Sequence, residues 1–282
     1  MVTRIIAITL ILIAMLAILA IALGPKAETT DKIAVVVSIL PQAEFVESVG
    51  GDKVTVTVMV PPGQDPHTYA PTISQLAAVS QARLCAEVGS GIDFELSYMD
   101  SIVEANRDML LVNCSEGIEL IENDPHVWLS PRNAKIMVEN ICDGLTQVDP
   151  QNRDYYIQNE NQYLAKLDML DTAINSTLAR VTDRWFLVDH PAWGYFARDY
   201  DLTQLAIEIE GKTPSPKDLA DAEQKAIEHD INVVFASPEF DVKIARNVAE
   251  AIGGTVAFVD PLARGYIDNM YRVRDELAEA MD

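Results

Sequence analysis

Cysteine is scarce in this 282-residue chain, which contains three cysteines. Cys85, Cys114 and Cys142 show no CxxC spacing, which argues against a thiolate metal site or a dithiol redox motif. Cys85 and Cys114 fall in apolar, strand-like runs, so the sequence favours ordinary buried thiols. A disulfide between two of the three cysteines outside the cell is the alternative.

Basic residues are also few, with 21 Lys and Arg against 43 Asp and Glu, and the formal net charge is −22. This charge argues against binding to nucleic acid or to an anionic lipid surface. A cationic ligand is compatible with it. The simpler interpretation is solubility or a saline habitat, because the acidic residues are spread along the chain.

Signatures of common catalytic sites are missing from the sequence. There is no HExxH pair, no serine nucleophile elbow and no glycine-rich phosphate loop, and Gly253-Gly254 is too weak a signal to indicate one. We therefore expect a protein that is not an enzyme.

One long hydrophobic run is present, at residues 5–23, after a short segment that carries Arg4. Roughly 17 to 25 apolar residues suffice to span a bilayer, so residues 1–27 are either a signal peptide or an N-terminal membrane anchor. No cysteine lies near the end of the run, which excludes attachment through a lipidated cysteine at that point. We expect the remaining chain to be exported, to the cell surface or a periplasm-like space.

The remaining chain alternates β-branched runs with amphipathic helical stretches, which predicts an α/β fold with parallel sheets flanked by helices. Apolar residues spaced by three, four and seven predict one helix over 152–182. Thr72 and Ser130 are placed to cap two shorter helices, over 73–82 and 133–145. We therefore predict an N-terminal α/β lobe at 32–149, a linking helix at 150–182 and a C-terminal α/β lobe at 183–282. The predicted strands are 33–39, 54–60, 84–88, 110–114, 185–188, 202–207, 233–236 and 255–259.

Three of the four histidines share a similar setting. Asp65-Pro66-His67 and Asp124-Pro125-His126 repeat one pattern, and Asp189-His190-Pro191 permutes it. Each histidine follows a predicted strand, and ligands collect beyond the carboxyl ends of parallel strands. These histidines are therefore candidate metal ligands.

Asp260 completes the pattern, since it follows the predicted strand 255–259 and precedes Pro261. Three imidazoles and one carboxylate suit four-coordinate Zn²⁺, whereas Mn²⁺ ordinarily prefers more oxygen ligands. An Asp-Pro pair can also be a plain turn signal. His229 lacks the setting of the others, and we expect it at the surface.

The chain resembles, over residues 33–282, the substrate-binding proteins of zinc and manganese ABC importers, of the type with a rigid interdomain helix. The resemblance implies capture of one divalent metal ion between two lobes and its delivery to a membrane permease. The residues at the family's ligand positions are His67, His126, His190 and Asp260. The motifs that carry the resemblance are 63–69, 124–129, 188–200 and 210–216.

Zinc is the metal that the resemblance favours, because manganese or iron members usually have a glutamate where this chain has His190. Glu208 and Glu210 lie in the segment that supplies that glutamate, either as ligands or, more simply, as carboxylates around the site. Many zinc members also carry a long histidine-rich loop between the first two ligand motifs. Residues 116–124 are short and contain no histidine, so we expect no secondary zinc-collecting loop.

Two other functions fit parts of the pattern. A zinc-stapled adhesion protein would use the metal to stabilise its fold. A zinc hydrolase would use three histidines and an open fourth position to activate water, but Asp260 would close that position.

Overall fold

The computed structural model describes residues 32–208, 214–238 and 241–282. Lys32–Asp282 forms one compact unit. The expected signal peptide or anchor at residues 1–27 and the candidate Glu210 lie outside the described residues. Within the described residues, none of the helices is long and apolar enough to cross a membrane.

The first lobe is built on a four-stranded parallel sheet with the strand order β2-β1-β3-β4. Its β-branched and apolar strands are bounded by helices that cover the sheet. The strands are β1 (Ile33–Val37), β2 (Val54–Val58), β3 (Leu84–Glu87) and β4 (Leu110–Asn113), and the helices are α1 (Leu40–Gly50), α2 (Ile73–Val79), α3 (Asp93–Ala105) and α4 (Pro131–Val148).

The second lobe repeats this topology, with a four-stranded parallel sheet in the order β6-β5-β7-β8. The strands are β5 (Trp185–Val188), β6 (Thr203–Ala206), β7 (Val233–Ala236) and β8 (Thr255–Phe258). The helices are α6 (Gly194–Asp199), α7 (Pro216–Glu228), α8 (Lys243–Ala251) and α9 (Tyr266–Ala280). The predicted fold class, two α/β lobes with parallel sheets, is therefore confirmed.

The linking helix α5 (Arg153–Leu178) has 26 residues and a length of about 39 Å. The predicted helix, 152–182, is slightly longer than the observed one. One stripe of α5 is buried, as its apolar spacing predicts. The buried residues of this stripe are Tyr156, Tyr163, Leu167, Leu170, Ile174 and Leu178.

Both predicted helix caps are present. The Thr72 side chain accepts a hydrogen bond from the Gln75 backbone N–H at the start of α2, and the Ser130 side chain accepts one from the Asn133 N–H at the start of α4. Helix α4 begins at Pro131, two residues before its predicted start. Proline fits the first helical position because a backbone N–H there would have no hydrogen-bond partner within the helix.

One continuous apolar core extends through both lobes and α5. It includes Val35 and Phe45 of the first lobe, Leu167 of α5, and Phe235 and Met270 of the second lobe. A smaller core lies under α7 and α8. Cys85, Cys114 and Cys142 are buried free thiols, as the sequence favours.

Candidate metal centre

The Asp-Pro-His pattern forms the same local turn in both places where it occurs. The His67 backbone N–H donates to Asp65 Oδ1 at 2.8 Å, and the His126 N–H donates to Asp124 Oδ1 at 2.9 Å. An aspartate that accepts from the backbone two residues ahead closes a tight turn, and the intervening proline fixes its own φ. The repeated motif therefore gives both histidines a defined backbone at the edge of the first sheet.

His190 is held by the second lobe. It follows β5 by two residues, and its backbone N–H donates to Asp189 Oδ1 at 2.7 Å. Asp189 Oδ2 accepts the Ser237 N–H at 3.1 Å, beyond the end of β7. Burial raises the pKa of Asp189, while its hydrogen bonds to these two backbone groups lower it. The carboxylate thereby ties the His190 turn to two neighbouring strands.

The imidazoles of His67, His126 and His190 converge, with one ring nitrogen from each within 4.8 Å of the others. His126 Nε2 and His190 Nε2 are 3.2 Å apart. Two nitrogens bound to one tetrahedral zinc ion at 2.0 to 2.1 Å lie about 3.3 Å apart. The spacing of this pair therefore matches the edge of a zinc tetrahedron. Among the described residues, no other group of three His, Cys, Asp or Glu side chains is arranged in this way.

Each of these imidazoles has a carboxylate against its Nδ1 atom. Because an ionised carboxylate only accepts hydrogen bonds, each contact assigns a proton to Nδ1, and in a neutral imidazole the lone pair is then on Nε2. This is the arrangement in which outer carboxylates orient metal-binding histidines. The three pairs are His67 Nδ1 with Asp93 Oδ2 at 2.6 Å, His126 Nδ1 with Asp124 Oδ1 at 2.8 Å, and His190 Nδ1 with Glu208 Oε2 at 2.9 Å.

The rings enclose a cavity of about 20 Å³. A cavity of this size holds one water molecule or one bare metal ion. His126 and His190 are buried, at 8% and 6% exposed, whereas the His67 side chain is 28% exposed. The walls of the cavity are otherwise apolar, and they come from both lobes. The other lining residues are Pro66, Ile92, Pro125, Trp128, Pro261 and Leu262.

Burial lowers the pKa of His126, and its hydrogen bond to Asp124 raises it by a smaller amount. The net effect favours the neutral imidazole. Only the neutral form can offer a lone pair to a metal ion. The buried position of His126 therefore stabilises its ligand form near neutral pH.

Trp128 joins the two lobes beside the cavity. Its ring centroid lies 5.3 Å from that of His126, in an edge-on arrangement. Its Nε1–H donates to the Pro261 carbonyl oxygen in the second lobe at 2.8 Å. Trp128 thus connects the wall of the cavity beside His126 to the second lobe.

The structure does not place Asp260 in the histidine cluster. Its Oδ1 accepts the Leu262 N–H at 2.7 Å, so Asp260-Pro261-Leu262 forms the turn that Asp65 and Asp124 form, with leucine in place of histidine. Leu262, and not Asp260, lines the histidine cavity. The role of Asp260 as a fourth ligand stays a prediction.

The other candidates have simpler roles. His229 lies outside the cluster and stacks on Trp185, with ring centroids 3.9 Å apart. Glu208 contacts the far side of the His190 ring, which is the simpler of the two roles considered for it. Asp93 has no signal in the sequence, because it is 26 residues from His67. Asp124 does have a signal in the sequence, the repeated Asp-Pro-His motif. That motif predicts the backbone turn but not the contact of Asp124 with His126 Nδ1.

Comparisons with known proteins agree with this geometry. The sequence profile of the family described as "Zinc-uptake complex component A periplasmic" matches residues 35–280. The high-affinity zinc uptake system protein ZnuA of Bacillus subtilis is 30% identical over 89% of this chain and 88% of its own length. A crystal structure of ZnuA superimposes with a TM-score of 0.86 and 38% identity, over 89% of this chain and all of that chain.

A Cd-bound periplasmic metal-binding protein from Candidatus Liberibacter asiaticus is 25% identical and superimposes with a TM-score of 0.81, over 89% of this chain and 100% of that chain. The family profile and the Bacillus subtilis relative both span most of the sequence, including all three clustered histidines. The chain therefore belongs to the family of periplasmic A components of zinc-uptake complexes.

Proposed function

We propose that this protein captures one divalent metal ion, most favourably Zn²⁺, at His67, His126 and His190, and delivers it to the permease of an ABC importer. The observation that carries the proposal is the convergence of three imidazoles, each with a carboxylate against its Nδ1 atom. This set directs three imidazole nitrogens at one small cavity. Asp260 is the proposed fourth ligand, and its Oδ1 atom accepts the Leu262 N–H.

The donor set supports zinc over manganese. Imidazole nitrogen suits zinc, whereas manganese favours carboxylate and water oxygen. Glu208, the carboxylate against the His190 ring, lies on its Nδ1 side and not among the inward-facing nitrogens. The Bacillus subtilis relative is named for zinc uptake, which points in the same direction.

Membership of the family supports a carrier function without catalysis. In this proposal the metal ion binds between the lobes at 32–149 and 183–282. The helix at 150–182 limits the motion of the lobes, and residues 1–27 export or anchor the chain. The family description places its members in the periplasm, which supports an extracytoplasmic location. The metal ion is cargo, so the protein must release it to the permease.

A competitive titration tests the proposal. The demetallated fragment 28–282 would be titrated with Zn²⁺ and with Mn²⁺ against a chelator of known affinity. We expect tight one-to-one binding that prefers zinc, and strong loss of that binding in His190→Ala. Equal binding of manganese would assign the site to a broader metal carrier, and no binding of either metal would refute the proposal.

A further inference from the structure

We infer that Gly194 and Tyr195 of the second lobe are positioning residues for His126 of the first lobe. Both act through Asp124, the carboxylate against His126 Nδ1. Contact between the lobes would then set the orientation of a metal-binding imidazole. The effect on metal affinity rests on the proposed function, but the orientation of the His126 ring can be measured without metal.

The Tyr195 hydroxyl bridges two backbone groups of the loop that leads to His126. It accepts the Ile121 N–H at 2.8 Å and donates to the Asp124 carbonyl oxygen at 3.1 Å. The Asp124 N–H in turn donates to the Ile121 carbonyl oxygen at 3.1 Å, which closes a turn. Tyr195 is fully buried. Its single hydroxyl therefore holds both ends of the 121–124 turn from the opposite lobe.

Gly194 provides the close approach that this contact needs. A Cβ atom at Gly194 would lie 2.3 Å from Asp124 Oδ2, far inside van der Waals contact. Asp124 Oδ1 binds both the backbone N–H and Nδ1 of His126. Asp124 Oδ2 thus packs against Gly194 of the second lobe, while Asp124 Oδ1 orients the His126 imidazole.

The same segment of the second lobe also carries His190, four residues before Gly194. Further contacts dock α6 on the first lobe: Ser130 Oγ donates to Asp199, and Arg198 donates to the Glu119 carbonyl oxygen. Movement of the segment away from the first lobe would remove His190 from the site and withdraw the support of Asp124 together. Opening of the lobes would therefore weaken two ligands at once, which suits the release of a tightly held ion.

The experiment uses the full-length chain in mild detergent, with ¹⁵N-labelled histidine. Tyr195→Phe removes the bridging hydroxyl, and Gly194→Ala displaces the carboxylate. Matched controls are Tyr200→Phe, which removes a buried hydroxyl bonded to Asp171, and Gly265→Ala, where a Cβ meets nothing within 4 Å. The first measurement is the Nδ1–H signal of His126 in metal-free protein. The second is the Zn²⁺ dissociation constant.

We expect both test variants to change the His126 Nδ1–H signal and to weaken zinc binding about tenfold, the low end of the range for residues behind metal ligands. The control variants should leave both readings at wild-type values. An unchanged His126 signal in both test variants would overturn the inference, as would equal effects in the controls. Failure of the wild-type chain to bind metal would refute the proposed function, and the histidine signal would still decide the inference.

Discussion

Within its own lobe, His126 is held at its backbone, at its Nδ1 atom and along its ring. Asp124 fixes its backbone and its Nδ1 atom, and the Trp128 ring packs on its edge. Such a histidine loses little freedom when a metal ion binds, because its ring is already oriented. Its removal should therefore affect binding more than folding.

His126→Ala should weaken zinc binding at least about 100-fold, more than loss of an outer carboxylate would. The metal-free fold should remain, because the ring faces a small cavity and not the apolar core. Calorimetric titration would measure the affinity, and circular dichroism the fold. His229→Ala is the matched control, and wild-type affinity in His126→Ala would contradict the ligand assignment.

The buried His126 also predicts a pH dependence for the metal-free protein. Burial lowers its pKa in the folded state from about 6.5, so the unfolded chain takes up the proton first as the pH falls. The contribution of His126 to the free energy of unfolding is therefore fully present above pH 6.5 and is lost as the pH falls from there through the folded pKa.

Glu95 changes the free energy of unfolding in the opposite direction. Burial raises its pKa to about 7, so the folded state takes up this proton before the unfolded chain does as the pH falls. Urea unfolding of wild type and His126→Gln between pH 8 and 5 would separate the two effects. We expect the wild type to lose more stability than the variant over this range. Parallel curves would show that His126 is not held neutral.

The sequence predicts that the three histidines come together, but it does not identify every carboxylate that contacts their Nδ1 atoms. Asp124 belongs to a repeated local motif, so its turn leaves a pattern along the chain. Asp93 stands in the first turn of α3 and reaches His67 only through the packing of separate elements. Periodicity and motif spacing carry no information about such a contact.

At the scale of elements, the sequence pattern predicts two strands at their observed bounds, β5 and β7. It also predicts α5, because burial of one face leaves a 3.6-residue period. It predicts no bounds for α1, where eight of the 11 residues are buried and the polar face is narrow, formed by Glu44, Glu47 and Ser48. Burial of most of a helix thus weakens the signal that identifies amphipathic helices.

Helix α9 begins with an unusual cap, supplied by a residue of α1. Glu44 accepts the N–H groups of Tyr266 and Ile267, at 2.6 and 3.4 Å, and the Tyr163 hydroxyl at 2.7 Å. A carboxylate at a helix N-terminus also interacts favourably with the helix dipole. Glu44 therefore connects the first lobe, the linking helix and the last helix of the chain.

Glu44→Ala should lower the free energy of unfolding by about 2 kcal/mol, since it removes charged hydrogen bonds and an N-terminal cap. Urea denaturation would measure the loss. Glu47→Ala is the control on the same helix, because Glu47 forms an exposed ion pair with Arg264 that should contribute about 0 to 1 kcal/mol. Equal losses in the two variants would exclude the capping role of Glu44.

At the scale of the whole molecule, the continuous apolar core predicts that the two lobes unfold together. Core residues of both lobes and of α5 form one cluster, α9 packs on α5, and Tyr266 of α9 contacts Phe45 of α1. We expect a single calorimetric transition for metal-free 28–282, with equal calorimetric and van't Hoff enthalpies. Two separate transitions would show that the lobes are independent domains.

Trp128 gives this arrangement an optical consequence. Its indole ring lies edge-on to the His126 ring, with centroids 5.3 Å apart, and its N–H donates to the Pro261 carbonyl oxygen, so Trp128 lines the cavity and connects the two lobes. A filled site would change the environment of this fluorophore directly. Zinc has a filled d shell and should shift the emission, whereas a bound paramagnetic ion such as Co²⁺ should quench it. The protein thus carries its own spectroscopic reporter of loading and release.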